Sequence, residues 1–175
     1  DTQLYLAAAK VPTLTEVGDL DRAVEICRTQ DFTPLTTLQH LTALTTCGQT
    51  TFRLGEHEEA HEFGVRARSV LNSKRDDLTR MQAAMGLAQL ANLVGITGTR
   101  TENMALLDES IEIAKTVGDS ALPLLSYQYM MKSIHHNQHA EPAEALEYTT
   151  LAMEAADRSQ LSRDSMTYAT TQIYH

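Results

Sequence analysis

Residues 57–61 read His-Glu-Glu-Ala-His, a literal H-E-x-x-H. On a helix the two imidazoles stand on one face and can share a zinc ion, with Glu58 between them as general base for an attacking water. Gly64 follows, as in one class of zinc proteases, but the position where that class carries its third ligand is Ala67. Paired helices also lack a sheet edge against which an extended substrate could lie. The chain is therefore read as a non-enzyme with no metal or cofactor, and a zinc-dependent hydrolase is kept as an alternative.

His135, His136 and His139 form a second imidazole cluster at the end of one helical run and in the loop after it. No Cys or Asp stands nearby to complete a tetrahedral set, and the helix dipole alone favours histidine there, so metal binding by this cluster is left open. Gly95-Ile96-Thr97-Gly98-Thr99-Arg100 precedes a helix, as a phosphate cradle would, yet it lacks the Lys-Ser/Thr of a P-loop and follows no strand. It reads as a loop that lengthens one repeat. No Ser-His-Asp or Cys-His arrangement is legible.

With 14 Lys+Arg against 23 Asp+Glu the 175-residue chain carries a net charge of −9, and no Lys/Arg run supplies the basic face that tracks phosphates. Direct nucleic-acid contact is not expected. The longest nearly charge-free stretch, residues 32–52, is rich in Thr and Gln and includes His40, so it is no membrane span. Cys27 and Cys47 lack the spacing of a disulfide framework and read as buried small residues in a reduced, cytoplasmic setting. The chain opens on Asp1 without a signal peptide and closes at His175 inside a helical pattern, so it reads as a piece of a larger protein.

Whatever these residues do, helices must position them. Strand-like alternation is absent, and apolar residues recur at helical spacing. The punctuation predicts about nine helices: 2–10, 20–30 after a short turn at 15–17, 34–54, 56–71, 77–94, 102–117, 121–136, 142–157 and 163 onward. Thr33 places a cap before an N1 proline at Pro34, Thr13 and Glu16 have capping-box spacing, and Gly18, Gly55, Gly95 and Gly118 read as stops.

Aligning the second helix of each predicted pair exposes a repeat. GDLDRAVEICRTQ, GEHEEAHEFGVRA and AEPAEALEYTTLA each open on a small residue, which leads to Ala23, Ala60 and Ala145 and then to Gln30, Ala67 and Ala152. NMALLDESIEIAKTVGD fits the same frame with Leu107 and Ala114, and the last column is spaced 37, 47 and 38 residues. Two-helix units that expose an apolar stripe hide it only by stacking. The expectation is one all-α domain over 1–175, with units at about 2–30, 34–72, 77–117 and 120–157 and a further helix begun at 161–175. Ala60 and Ala67 should lie at close helix crossings.

TCGQTTFRLGEHEEAHEFGVRA resembles the tetratricopeptide (TPR) repeat, with Gly48, Gly55, Ala60 and Ala67 on that family's small-residue positions. LLDESIEIAKTVGDS is similar to the longer TPR-like repeats of bacterial signal-responsive transcription regulators. The resemblance implies a right-handed α-solenoid of antiparallel helix pairs whose first helices line a concave groove. It also implies a protein-interaction or ligand-sensing scaffold within a larger cytoplasmic, transcription-regulatory protein.

The predicted first helices are almost uncharged: 34–52 holds only His40 as a titratable base, 81–99 has no charge, and 120–138 has Lys132 besides its histidines. Second helices carry acids such as Glu56, Glu58, Glu59 and Glu62, or Asp108, Glu109 and Glu112. Transferring the family's groove positions puts Thr42, Thr45, Gln49, Phe52 and Arg53 on the concave face of the best-matching repeat. Gln82, Met85, Gln89 and Asn92 follow in the next, then Tyr127, Met130, Ile134 and Asn137. Amides and hydroxyls flanked by Met and Tyr suit a protein or peptide partner. Two alternatives explain the same pattern: these helices lack charge because both of their sides are packed, or the surface mediates homo-oligomerisation. Met81, Met85, Met130 and Met131 read as core filling, with an adaptable binding surface as the alternative.

Overall fold

The computed structural model describes residues 2–159, and every regular element among them is helical. The α-helices are α1 (Thr2–Glu16), α2 (Leu20–Thr29), α3 (Thr37–Leu54), α4 (His57–Ser73), α5 (Arg80–Thr97), α6 (Arg100–Val117), α7 (Leu122–Gln138) and α8 (Pro142–Arg158). Short 3-10 turns at Arg75–Asp77 and Asp119–Ala121 lead into α5 and α7. The helix expected from 163 onward lies outside the described residues.

The chain divides into two compact units, Asp1–Leu106 and Leu107–His175, with the boundary inside α6. In the first unit α1 packs on α2 and α3 on α4; α3 also lies against α1 and α2, and α5 against α3 and α4. In the second unit α7 packs along α8. The neighbours α1 and α2, α3 and α4, and α7 and α8 are thus packed in pairs.

Several boundaries moved for local reasons. The predicted helix 2–10 and turn at 15–17 are one helix, α1, which runs through Pro12 to Glu16. Proline there forfeits one donor, but its fixed φ suits a helix and the last turn is anchored by Thr15, whose hydroxyl lies 2.9 Å from that of Thr50 on α3. Thr13 and Glu16 therefore end a helix; they do not begin one. Pro34 is not an N1 residue either. Asp31 folds the preceding segment by accepting from the Thr33 amide at 3.0 Å, and α3 starts three residues after Pro34, where Gln39 Oε1 accepts from the Thr36 backbone N–H. Two further reciprocal caps, Thr79 with Gln82 and Thr99 with Glu102, open α5 and α6. As a result 95–100 is not an inserted loop: α5 continues past Gly95 to Thr97, and α6 begins at Arg100. The other three predicted stops, Gly18, Gly55 and Gly118, do take a positive φ just past a helix, and Gly55 adopts the left-handed helical conformation of a C-cap.

The first unit's core is built from small and branched apolar side chains. Ala23, Ala60 and Ala67 are fully buried, as the alignment requires, and Ala114, Ala145 and Ala152 are buried in the second unit. Gln30 departs from its column and is exposed, because it caps the end of α2. Gly48 allows the closest approach: a Cβ there would stand 2.6 Å from the Leu93 side chain of α5 and 3.1 Å from Phe63 of α4. The methionines do not fill the core as expected. Met85 is exposed, and Met81, Met130 and Met131 are only half-buried.

Cys27 and Cys47 are buried, but not as two separate thiols. They form a disulfide between α2 and α3, with their Cα atoms 5.5 Å apart. Framework spacing could not reveal this bond, since it joins two helices whose crossing brings residues 20 positions apart into contact. The expectation of reduced cysteines is corrected accordingly.

Candidate recognition groove

In the first unit a groove of about 300 Å³ opens between α1 and α3. Tyr5, Ala8, Ala9 and Pro12 form the α1 wall, and α3 contributes Leu38, Gln39, Thr42 and Thr46. No lining side chain carries a charge. The spacing of the α1 residues explains their common face: 5, 8, 9 and 12 follow the i, i+3, i+4, i+7 pattern, with small side chains where α1 nears α3. On the other lip, the Thr42 hydroxyl donates to the Leu38 carbonyl at 2.9 Å and lies 3.1 Å from Gln89 Oε1 on α5. Thr42 and Gln89, nominated from separate repeats, therefore meet.

The remaining nominated residues are placed more variously. Thr45 is buried, with its hydroxyl donated to the Leu41 carbonyl at 3.0 Å. Gln49 and Asn92 are half-buried, while Met85 and Arg53 are exposed. Phe52 is half-buried and packs on the His57 ring, centroid to centroid 4.6 Å. Tyr127, Met130 and Asn137 lie on α7 in the second unit, where Tyr127 and Asn137 are exposed and Met130 is half-buried. The absence of charge on the first helices has two sources. Nine residues of α3 and nine of α5 are buried, half of each helix, and the uncharged Thr42 and Met85 are among the residues that face outward.

A second, larger cleft of about 920 Å³ lies along α1 and α2. Its floor includes Leu6, Leu14 and Ile26, and its rim carries Lys10, Arg22 and Glu25. It includes none of the nominated residues, and its charges are mixed.

The histidine motifs are dispersed among other partners. His57, Glu58 and His61 are exposed at the start of α4, and Glu59 forms an ion pair with Arg28 at 2.6 Å. Hydrogen bonding from Arg28 lowers the Glu59 carboxyl below the ordinary range. In the second cluster His135 is buried, the His136 Nδ1 lies 2.7 Å from Glu141 Oε2, and the His139 Nδ1 lies 2.7 Å from the His135 carbonyl. Among the described residues no three His, Cys, Asp or Glu side chains come together as a metal-holding group.

The second unit contains an arrangement that sequence reasoning missed. Lys132 is buried on α7, its ammonium donates to Asp108 of α6, and it sits 4.4 Å from the centroid of the Tyr148 ring on α8. Burial opposes its charge, but hydrogen bonds with Asp108 and Tyr148 outweigh that penalty and hold its pKa above the ordinary lysine value. Tyr148 also stacks on His136, with centroids 5.2 Å apart. The one visible signal was a lone lysine in an otherwise uncharged helix.

No protein-family model matches the chain, and no curated protein matches it. An uncharged trough with hydroxyl and amide groups on one lip and an aromatic residue on the other can hold apolar side chains while hydrogen-bonding a peptide backbone.

Proposed function

We propose that the chain is a TPR-like helical repeat scaffold that recognises an uncharged, apolar segment of a protein partner. The observation that carries this reading is the charge-free groove between α1 and α3, lined by Gln39 and by Thr42, whose hydroxyl meets Gln89 of α5. Tyr5, 51% exposed on its wall, supplies the aromatic contact, and Thr42 and Gln39 supply hydrogen bonds. The right-handed solenoid and the kinship to transcription regulators belong to this proposal through the sequence resemblance. The Cys27–Cys47 disulfide favours an oxidising setting over a cytoplasmic one.

The test begins with a pull-down to identify a partner and continues with titrations at low and high salt. Binding should weaken little with salt, because screening acts on charge and this groove has none. Tyr5→Ala and Thr42→Arg should each weaken binding at least about tenfold, as loss of an anchor or introduction of a charge does. Glu58→Lys, on the exposed start of α4, should leave it unchanged. A partner lost with Glu58→Lys or at high salt, yet indifferent to Tyr5→Ala, would move recognition to the acidic second helices.

A further inference from the structure

The first helix pair is attached to the rest of its unit by few buried side chains. Only Val11 and Thr15 of α1 and Ala23, Val24 and Cys27 of α2 are buried, against nine residues in α3 alone. Three specific ties cross from the pair to the elements beyond it. Thr15 and Thr50 share a hydroxyl contact, Arg28 and Glu59 form an ion pair at the surface, and Cys27 is bonded to Cys47. An exposed ion pair contributes little, and a single hydroxyl contact contributes modestly. The disulfide is the strongest of the three.

We infer that the docking of the α1–α2 pair is conditional on this bond, so that its reduction releases the pair as a unit and dismantles the α1 wall of the groove. Cys47 is fully buried and Cys27 nearly so, which means a reductant must wait for transient opening of the pair. A dithiol reductant then acts in two steps. One thiolate attacks a protein sulfur, forming a mixed disulfide and expelling the other cysteine as thiolate; the second reductant thiol displaces the remaining cysteine. The reductant leaves as its own disulfide, two electrons pass to the protein, and two protons end on Cys27 and Cys47. Once they are separate thiols, only the backbone segment 30–36 still tethers α2 to α3, and it does not fix how the two helices pack. That the release would switch recognition rests on the groove reading; the release itself does not.

Hydrogen exchange on the whole chain tests the inference without a ligand. Adding dithiothreitol to the oxidised protein should accelerate amide exchange over residues 2–29 on the order of a hundredfold, while α3 and α5 keep their protection. Alkylation and mass measurement confirm that both thiols have formed. The Cys27→Ala/Cys47→Ala double variant, without reductant, should show the same regional loss and the same retained protection in α5. Unchanged exchange over 2–29 in both samples would overturn the proposal, as would loss of protection throughout α3 and α5, or two free thiols in the protein before reduction. Failure of the groove reading would instead appear as unaltered partner binding by Tyr5→Ala with this exchange pattern intact.

Discussion

The two units close their helix contacts by different chemistry. In the first, α5 buries nine residues and all are apolar or glycine, Gly48 lets three helices meet, and a disulfide ties α2 to α3. In the second, α7 buries Ser126, Gln128, Lys132, Ser133 and His135 beside only Leu122 and Leu125. Those polar groups have directed partners: Ser126 donates to the Ala152 carbonyl at 2.8 Å, Ser133 to the Ala145 carbonyl at 2.9 Å, and Lys132 to Asp108. Apolar contact is non-directional, so a lightly packed pair such as α1–α2 gains from a covalent tie. A hydrogen-bonded interface fixes its register by geometry, but it suffers when one partner is removed.

The contrast can be broken most strongly at the disulfide. Its loss should destabilise the first unit by about 3 kcal/mol, the scale for a closed loop of this length, and should leave the second unit's melting behaviour unchanged in calorimetry. Equal loss in both units would mean that they do not differ as described.

Asp108→Ala should follow at about 2 to 3 kcal/mol, because it leaves the buried Lys132 ammonium without its carboxylate; the Asp108 side chain is 59% exposed, which lowers the figure below that of a fully buried pair. Lys132→Met removes the charge along with the need for a partner and should stay within about 1 kcal/mol of the parent. Denaturant titration of both variants checks the asymmetry, and equal losses would show that Lys132 acts through packing alone.

Ala67→Leu should cost about 1 to 2 kcal/mol, since added volume at a fully buried crossing forces α4 away from its neighbours. An unchanged melt would mean that the first unit yields where it is described as tight.

The smallest effect concerns pH. Burial, followed by the charges of Lys74 and Arg66, lowers His40 below its ordinary 6.5, and Asp31 opposes this only weakly. The folded state thus binds its proton less readily than the unfolded chain. The stability that neutral His40 contributes is present above 6.5 and declines as pH falls through 6.5 toward the lowered value. Melts across that range should show the slope in the parent and a flatter one in His40→Leu.

Part of the site was legible and part was not. Thr42 and Gln89 were nominated from repeat positions, and the structure joins them, since residues on one strip of paired helices share neighbours. The α1 wall was missed although Tyr5, Ala8, Ala9 and Pro12 recur at helical spacing, because the predicted helix stopped at residue 10, short of Pro12. Thr45 sits a few residues from Thr42, yet its side chain turns inward.

By itself the sequence determined what acts over one or two turns of chain. Apolar spacing dictated helices, Gly18, Gly55 and Gly118 dictated their ends, and the recurring Ala60, Ala67, Ala114 and Ala152 marked buried crossings. Only the tertiary structure decided which distant residues meet. It bonded Cys27 to Cys47, set Lys132 between Asp108 and Tyr148, and folded Tyr5 and Thr42 onto opposite sides of one groove. The reason is one of range: a cap or a helical period is satisfied by neighbours in sequence, whereas these pairings depend on the angle and register at which whole helices pack.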